Sequence, residues 1–275
     1  MAISIFANHA HVFPESVNPQ GTIDRLRQLM DACGIEQAVC FAPFPAQVER
    51  GFDQNAWLAK ELASRDRLVG FATVDIYRSD RQDQVRRIKE MGLRGIKMHP
   101  QVQEFDILCS EAMQIYQAAE AHGLFITFHS GVHHHRIEEY RVLKFDEVAW
   151  NFPNLRFSLE HVGGYHFFAE ALAVIVNNIP FPPVPGRRCM VYGGLTSIFT
   201  PDYLRFWYMP PQRLKELVLQ AGPEQLIFGL DFPYNLEENT KLGIETIMGL
   251  DLAEEKKALI LGNNLREALG IPMIA

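Results

Sequence analysis

The chain has 275 residues, 48% of them hydrophobic, enough to bury a large core and close to the roughly 250 residues typical of one eight-stranded parallel barrel. A formal charge of −7, with no basic run longer than Arg86-Arg87 or Arg187-Arg188, excludes nucleic acid as a partner, since that needs clustered Lys and Arg. No uncharged apolar stretch approaches the roughly 20 residues that span a bilayer, and the N-terminus lacks a charged segment followed by an apolar one, so the expectation is a soluble, cytoplasmic chain. Cys33, Cys40, Cys109 and Cys189 are scattered without a C-x-x-C pair, as expected of reduced thiols.

In chain order, an apolar run from Ile3 ends in Asn8-His9-Ala10-His11 and reads as a first strand. A Pro-containing loop follows, and Thr22 caps a helical pattern that runs to Cys33. Further strands are predicted over Ile35–Ala42, Leu68–Asp75, Leu93–Pro100, Leu124–His129, Leu155–His161, Cys189–Ile198 and Gln225–Leu230, the last delivering Asp231. Helices are predicted between them: Asn55–Ser64, a charged stretch ending at Met91, Glu111–His122, Phe145–Asn151, Phe167–Asn177 and Pro211–Ala221. Two more, Leu236–Met248 and Ala253–Ala268, close the chain. The Pro-rich segment Ile179–Gly186 is a loop. Strands alternating with helices, without a composition break, predict an α/β fold: one (β/α)8 TIM barrel over residues 1–275 with C-terminal helices. An open doubly wound sheet is the rival, but neither G-x-G-x-x-G after the first strand nor G-x-x-x-x-G-K-S/T is present.

Successive side chains of a strand alternate between faces, so His9 and His11 are expected on one face. In a parallel barrel the C-terminal strand ends open onto one mouth, and His129, His161 and Asp231 end later strands. Imidazoles plus a carboxylate suit one divalent transition ion, Zn2+ first, with Mn2+, Fe2+ or Co2+ as alternatives. Such an ion lowers the pKa of bound water to about 7, and an aspartate beside that water can move its proton.

The stretches Phe6-Ala7-Asn8-His9-Ala10-His11, Gly95-Ile96-Lys97-Met98-His99-Pro100, Thr127-Phe128-His129-Ser130-Gly131, Glu160-His161-Val162-Gly163-Gly164 and Gly229-Leu230-Asp231-Phe232-Pro233 resemble the amidohydrolase superfamily. They are most similar to its amidohydrolase-2 branch, which contains aminocarboxymuconate-semialdehyde decarboxylase and small metal-dependent hydrolases. The resemblance spans nearly the whole chain. It implies His9, His11, His129 and Asp231 as metal ligands, and Asp231 and His161 as the catalytic residues. The family often carries an acid two residues before the first histidine, where this chain has Ala7. Some relatives bridge two metals with a carbamylated lysine on the fourth strand. Here the expectation for Lys97 is an anionic substrate group or an internal carboxylate, with His99 lining the pocket.

The implied activity is hydrolysis of a lactone, ester or amide by metal-activated water; the alternative is non-oxidative decarboxylation of a small unsaturated or aromatic acid. The expected partner is a small molecule, anionic in the Lys97 reading. His133-His134-His135, just past the fifth strand, is read as a solvated loop, with a loop overhanging the site as the alternative, while Phe44, Arg50 and Trp57 are candidates for shaping the pocket. Arg187 and Arg188 are candidate carboxylate anchors or simply surface residues, and Phe206-Trp207-Tyr208-Met209-Pro210 reads as core or packed loop, while being the best candidate for the contact of a homo-oligomer.

Overall fold

The computed structural model describes residues 3–183, 188–203 and 205–272; Arg187 and part of the Pro-rich loop lie outside the described residues. Eight parallel strands close into a barrel in sequence order: β1 (Ile5–His11), β2 (Ile35–Phe41), β3 (Leu68–Ala72), β4 (Gly95–Met98), β5 (Phe125–His129), β6 (Phe157–Glu160), β7 (Val191–Leu195) and β8 (Leu226–Phe232). The expected TIM barrel is borne out. The helices that return the chain between strands are α1 (Ile23–Ala32), α2 (Gln54–Leu62), α3 (Arg81–Glu90), α4 (Ser110–His122), α5 (Lys144–Asn151), α6 (Gly164–Asn177) and α7 (Pro211–Ala221). Thr22 caps α1 through a bond from Arg25 N–H to its hydroxyl, as the sequence predicted.

The expected final helix Ala253–Ala268 is interrupted. After α8 (Glu237–Met248) the chain forms α9 (Glu254–Ala258), a π-helical turn over Leu259–Asn263 and α10 (Asn264–Leu269). The interruption has a packing cause: a Cβ at Gly262 would lie 2.7 Å from the backbone nitrogen of Phe6. That close approach places Leu265, Ala268 and Leu269 in one apolar cluster with Phe6, Val39, Phe71 and Phe125, which runs up the barrel interior to Phe41 beside His9 and His11. Arg266, 1% exposed, lies over the Phe6 ring and donates from Nη2 to Ser4 Oγ at 2.8 Å.

Strand crossings leave little room inside. At Gly95 an added Cβ would sit 2.5 Å from the carbonyl oxygen of Phe125 and 2.7 Å from the Phe71 ring. Backbone cannot swing aside as a flexible side chain can, so Gly95→Ala should destabilise the fold by about 1–3 kcal/mol, the usual range for overpacking. A urea midpoint equal to wild type would mean that β4 and β5 separate more easily than their register implies.

Candidate metal centre

Four of the residues at the C-terminal mouth take left-handed backbone angles without being glycine: His9 (φ 68°), His161 (φ 63°), Ser197 (φ 56°) and Asp231 (φ 59°). Such conformations cost of order 1–3 kcal/mol each and persist where the surroundings enforce them. At His9 the cause is a break in strand register: β1 shifts against β2 between Ala7 and Ala10, and against β8 between Asn8 and Ala10. His9 and His11 therefore meet across a bulge rather than by simple two-residue alternation. Their Nε2 atoms are 3.2 Å apart. Asp231, delivered by β8, places Oδ1 3.3 Å from His9 Nε2 and 3.8 Å from His11 Nε2.

This triangle fits a divalent ion. Donors about 2.0–2.1 Å from a tetrahedral centre lie roughly 3.3–3.4 Å from one another, which the two edges at His9 match and the 3.8 Å edge from His11 to Asp231 exceeds by less than half an ångström. Protonation also favours it. Burial, reinforced by the Lys97 charge, holds the pKa of His9, His11, His129, His161 and His99 well below the ordinary histidine value, so the rings are neutral and offer lone pairs.

Acceptor-only partners assign two further tautomers. His161 Nδ1 lies 2.8 Å from the carbonyl of Thr196 and must carry the proton there, leaving Nε2 as its lone-pair nitrogen. His129 Nε2 lies 2.6 Å from the carbonyl of Gly131, so its lone pair is on Nδ1.

His129 stands outside the triangle, in a second group with His99 and His133. That group is poorly built for an ion of its own. The His99 and His129 rings stack with centroids 3.9 Å apart and planes 7° from parallel, so their in-plane lone pairs cannot converge on one point. The Nδ1 of His99 accepts from the Val102 N–H at 3.3 Å, which makes its Nε2 a donor; that Nε2 is buried without a partner.

Lys97 Nζ lies 3.4 Å from His9 Nε2 and 5.3 Å from the centre of the Phe41 ring. Burial lowers its pKa to about 8 against the opposing pull of Glu160 and Asp231. Burial also raises Asp231 to about 6, although a 2.6 Å bond from Ser197 Oγ and the Lys97 charge oppose the shift.

Unfolded Asp231 titrates near 3.8, so between that value and 6 the folded chain holds the extra proton. Its contribution to stability is complete below about pH 4 and is lost as pH rises through 6, where the buried charge costs about 3 kcal/mol. In chelator-treated protein, Asp231→Asn should therefore be the more stable form at pH 7.5, with the advantage fading toward pH 4. Urea titrations at the two pH values check this, and equal stability at pH 7.5 contradicts it.

A cavity of about 560 Å³ opens above these groups, walled by Phe44, Val102, Tyr203, Phe206, Trp207 and Tyr234. Trp207 stacks on His161 with centroids 4.1 Å apart and 14° between planes, and its Nε1 donates to the Val132 carbonyl at 2.9 Å. Trp207 and Met209 are buried, as expected of a core or packed loop, while Phe206 and Tyr208 are half-buried. His133 is half-buried and reaches the site, whereas His134 and His135 are exposed; the solvated-loop expectation holds only for those two. Of the other candidates, Phe44 lines the cavity, Arg50 is exposed, Trp57 packs on the core from α2, and Arg188 pairs with Glu267 on the surface. Sequence reasoning missed Trp207 as a site residue, and it missed Glu160, Thr196 and Ser197. Only Glu160, one residue before His161 at a strand end, carried a local signal.

The sequence profile of the amidohydrolase family matches residues 9–271. The chain belongs to this family. Membership makes it a metal-dependent enzyme of the amidohydrolase superfamily, and solved structures carry the same fold. It is similar to 5-carboxyvanillate decarboxylase LigW from Sphingomonas paucimobilis, at 14% identity and TM-score 0.73 over 98% of this chain and 100% of that one. It is also similar to a dihydroxybenzoic acid decarboxylase from Polaromonas with bound manganese and 2-nitroresorcinol, at 15% identity and TM-score 0.71 over 98% and 97%. A third is a putative 2-pyrone-4,6-dicarboxylic acid hydrolase from Pseudomonas putida, at 18% identity and TM-score 0.69 over the full length of both chains. None of the curated proteins matches the chain. Among the described residues no helix is long and apolar enough to cross a membrane.

Proposed function

We propose that this amidohydrolase is a hydrolase of a small lactone, ester or amide, and that His9, His11 and Asp231, with His129 Nδ1 as a fourth donor, hold one divalent ion. Zinc is the first expectation; the manganese in the Polaromonas decarboxylase keeps a second ion in view. A divalent ion held there supplies Lewis acidity to a carbonyl and makes water acidic enough to react at neutral pH. The observation that carries the reading is Asp231. Its carboxylate, held by a 2.6 Å bond from Ser197 Oγ and standing 3.3 Å from His9 Nε2, is placed to take a proton from water and return it to a leaving group. His161, neutral with Nε2 as its acceptor nitrogen, would hold or accept a substrate proton. Lys97 and the Nε2–H of His99 would bind oxygen atoms of the substrate, an anionic group included. The aromatic wall would exclude water.

That same wall supports the second reading, non-oxidative decarboxylation. A carboxylate turned toward the aromatic wall and away from Lys97 would lose its water and be disfavoured relative to uncharged CO2, and a site acid would protonate the carbanion left behind. A panel of lactones, esters, amides and unsaturated or aromatic carboxylates, followed for acid release and for CO2 release, separates the two. Acid release without CO2 is the expected result, and CO2 evolution with proton uptake establishes the alternative.

A further inference from the structure

Beneath the histidine pair the barrel holds a carboxylate that the reading above does not use. Glu160, the last residue of β6, is 0% exposed. Its Oε2 lies 2.8 Å from His9 Nδ1 and 2.6 Å from Thr196 Oγ1, and its Oε1 lies 3.0 Å from Asn8 Nδ2 and 2.6 Å from Ser158 Oγ. An ionised carboxylate has about four acceptor positions, and four donors fill them. The space is provided on the neighbouring strand, because a Cβ at Gly194 would stand 2.4 Å from Glu160 Cδ and Oε2. A buried charge so completely partnered, and given room by a glycine, is built for one contact that is not merely structural: the one to His9.

We propose that Glu160 is the positioning residue of the metal centre, fixing His9 in its Nδ1–H tautomer and so setting how tightly the centre holds its ion. The inference rests on the reading that His9 is a ligand. A carboxylate that accepts from Nδ1–H forces the lone pair onto Nε2, the atom facing His11 and Asp231, and its negative charge makes that lone pair more basic. Without it, His9 could place its proton on Nε2, and binding would first have to reverse the tautomer. Because β6 is anchored to β5 and β7 along its length, the carboxylate also resists rotation of the ring.

The test needs no substrate. Zinc affinity is measured by competition with a chromophoric chelator at pH 7.5 for the wild type, Glu160→Gln, Ser158→Ala and His9→Ala. Glu160→Gln keeps an acceptor but loses the charge, and its affinity should fall 10- to 100-fold, the range seen when such supporting groups are removed. Ser158→Ala touches Glu160 but not His9 and should change affinity by less than about threefold. Equal losses in these two variants, or Glu160→Gln within about twofold of wild type, overturn the proposal. Wild-type affinity in His9→Ala would instead overturn the ligand reading, a distinct result. Should Glu160→Gln fail to fold, nitrogen-15 NMR of the His9 ring in the wild-type protein decides: protonated Nδ1 before and after zinc addition is expected, and protonated Nε2 in either state overturns the assignment.

Discussion

Replacing His9 and His11 together by alanine should strip the centre of its ion. The triangle of His9, His11 and Asp231 has edges of 3.2, 3.3 and 3.8 Å, and removing two of its corners leaves one carboxylate oxygen and the more distant His129, too few donors for a tetrahedral or five-coordinate site. Wild-type protein prepared without chelator should carry about one equivalent of a transition ion. The double variant should carry less than about a tenth of that by elemental analysis, with activity gone. The fold should survive, because the rings are lost from the mouth, where they meet Phe41, while the deeper packing of Phe6, Phe71, Phe125 and Leu265 is kept. Full occupancy in the double variant would remove the basis for the whole site assignment. Two equivalents in the wild type would point instead to a second ion held with Lys97 on β4.

Asp231→Asn is expected to divide binding from chemistry. The amide keeps the shape and one oxygen donor, and it can still contact Ser197, whose hydroxyl is 2.6 Å from the native Oδ2. It has no carboxylate oxygen to accept a proton. Metal content should remain near wild type while kcat falls by roughly 10^2 to 10^4, the contribution usual for a positioned general base. Near wild-type turnover with metal bound would transfer the role to His161, and His161→Asn, also expected to keep its metal, would then show the larger loss in kcat.

The architecture was legible because its signals are local. Apolar runs of strand length alternating with helical patterns appear in order along the chain, and a parallel barrel is what such alternation builds. The candidate ligands were legible for a related reason. His9, His11, His129, His161 and Asp231 each end a strand or stand just beyond one, and barrel closure gathers strand ends at one mouth.

What the tertiary structure decided depends on atoms from distant strands meeting. No residue type near His9 announces its left-handed backbone, because the bulge arises from pairing β1 with both β2 and β8. The tautomers of His9, His161 and His129 are set by Glu160, the Thr196 carbonyl and the Gly131 carbonyl, two of them contributed by other strands. Position 7 is alanine, and the carboxylate that reaches His9 comes from β6, 151 residues away, into space left by Gly194 on β7. The apolar run around Trp207 reads as core or packed loop, but that its indole stacks on His161 at the mouth is decided only by the fold. Sequence periodicity records which face a side chain takes within its own element; which neighbour it then meets is fixed only when the barrel closes.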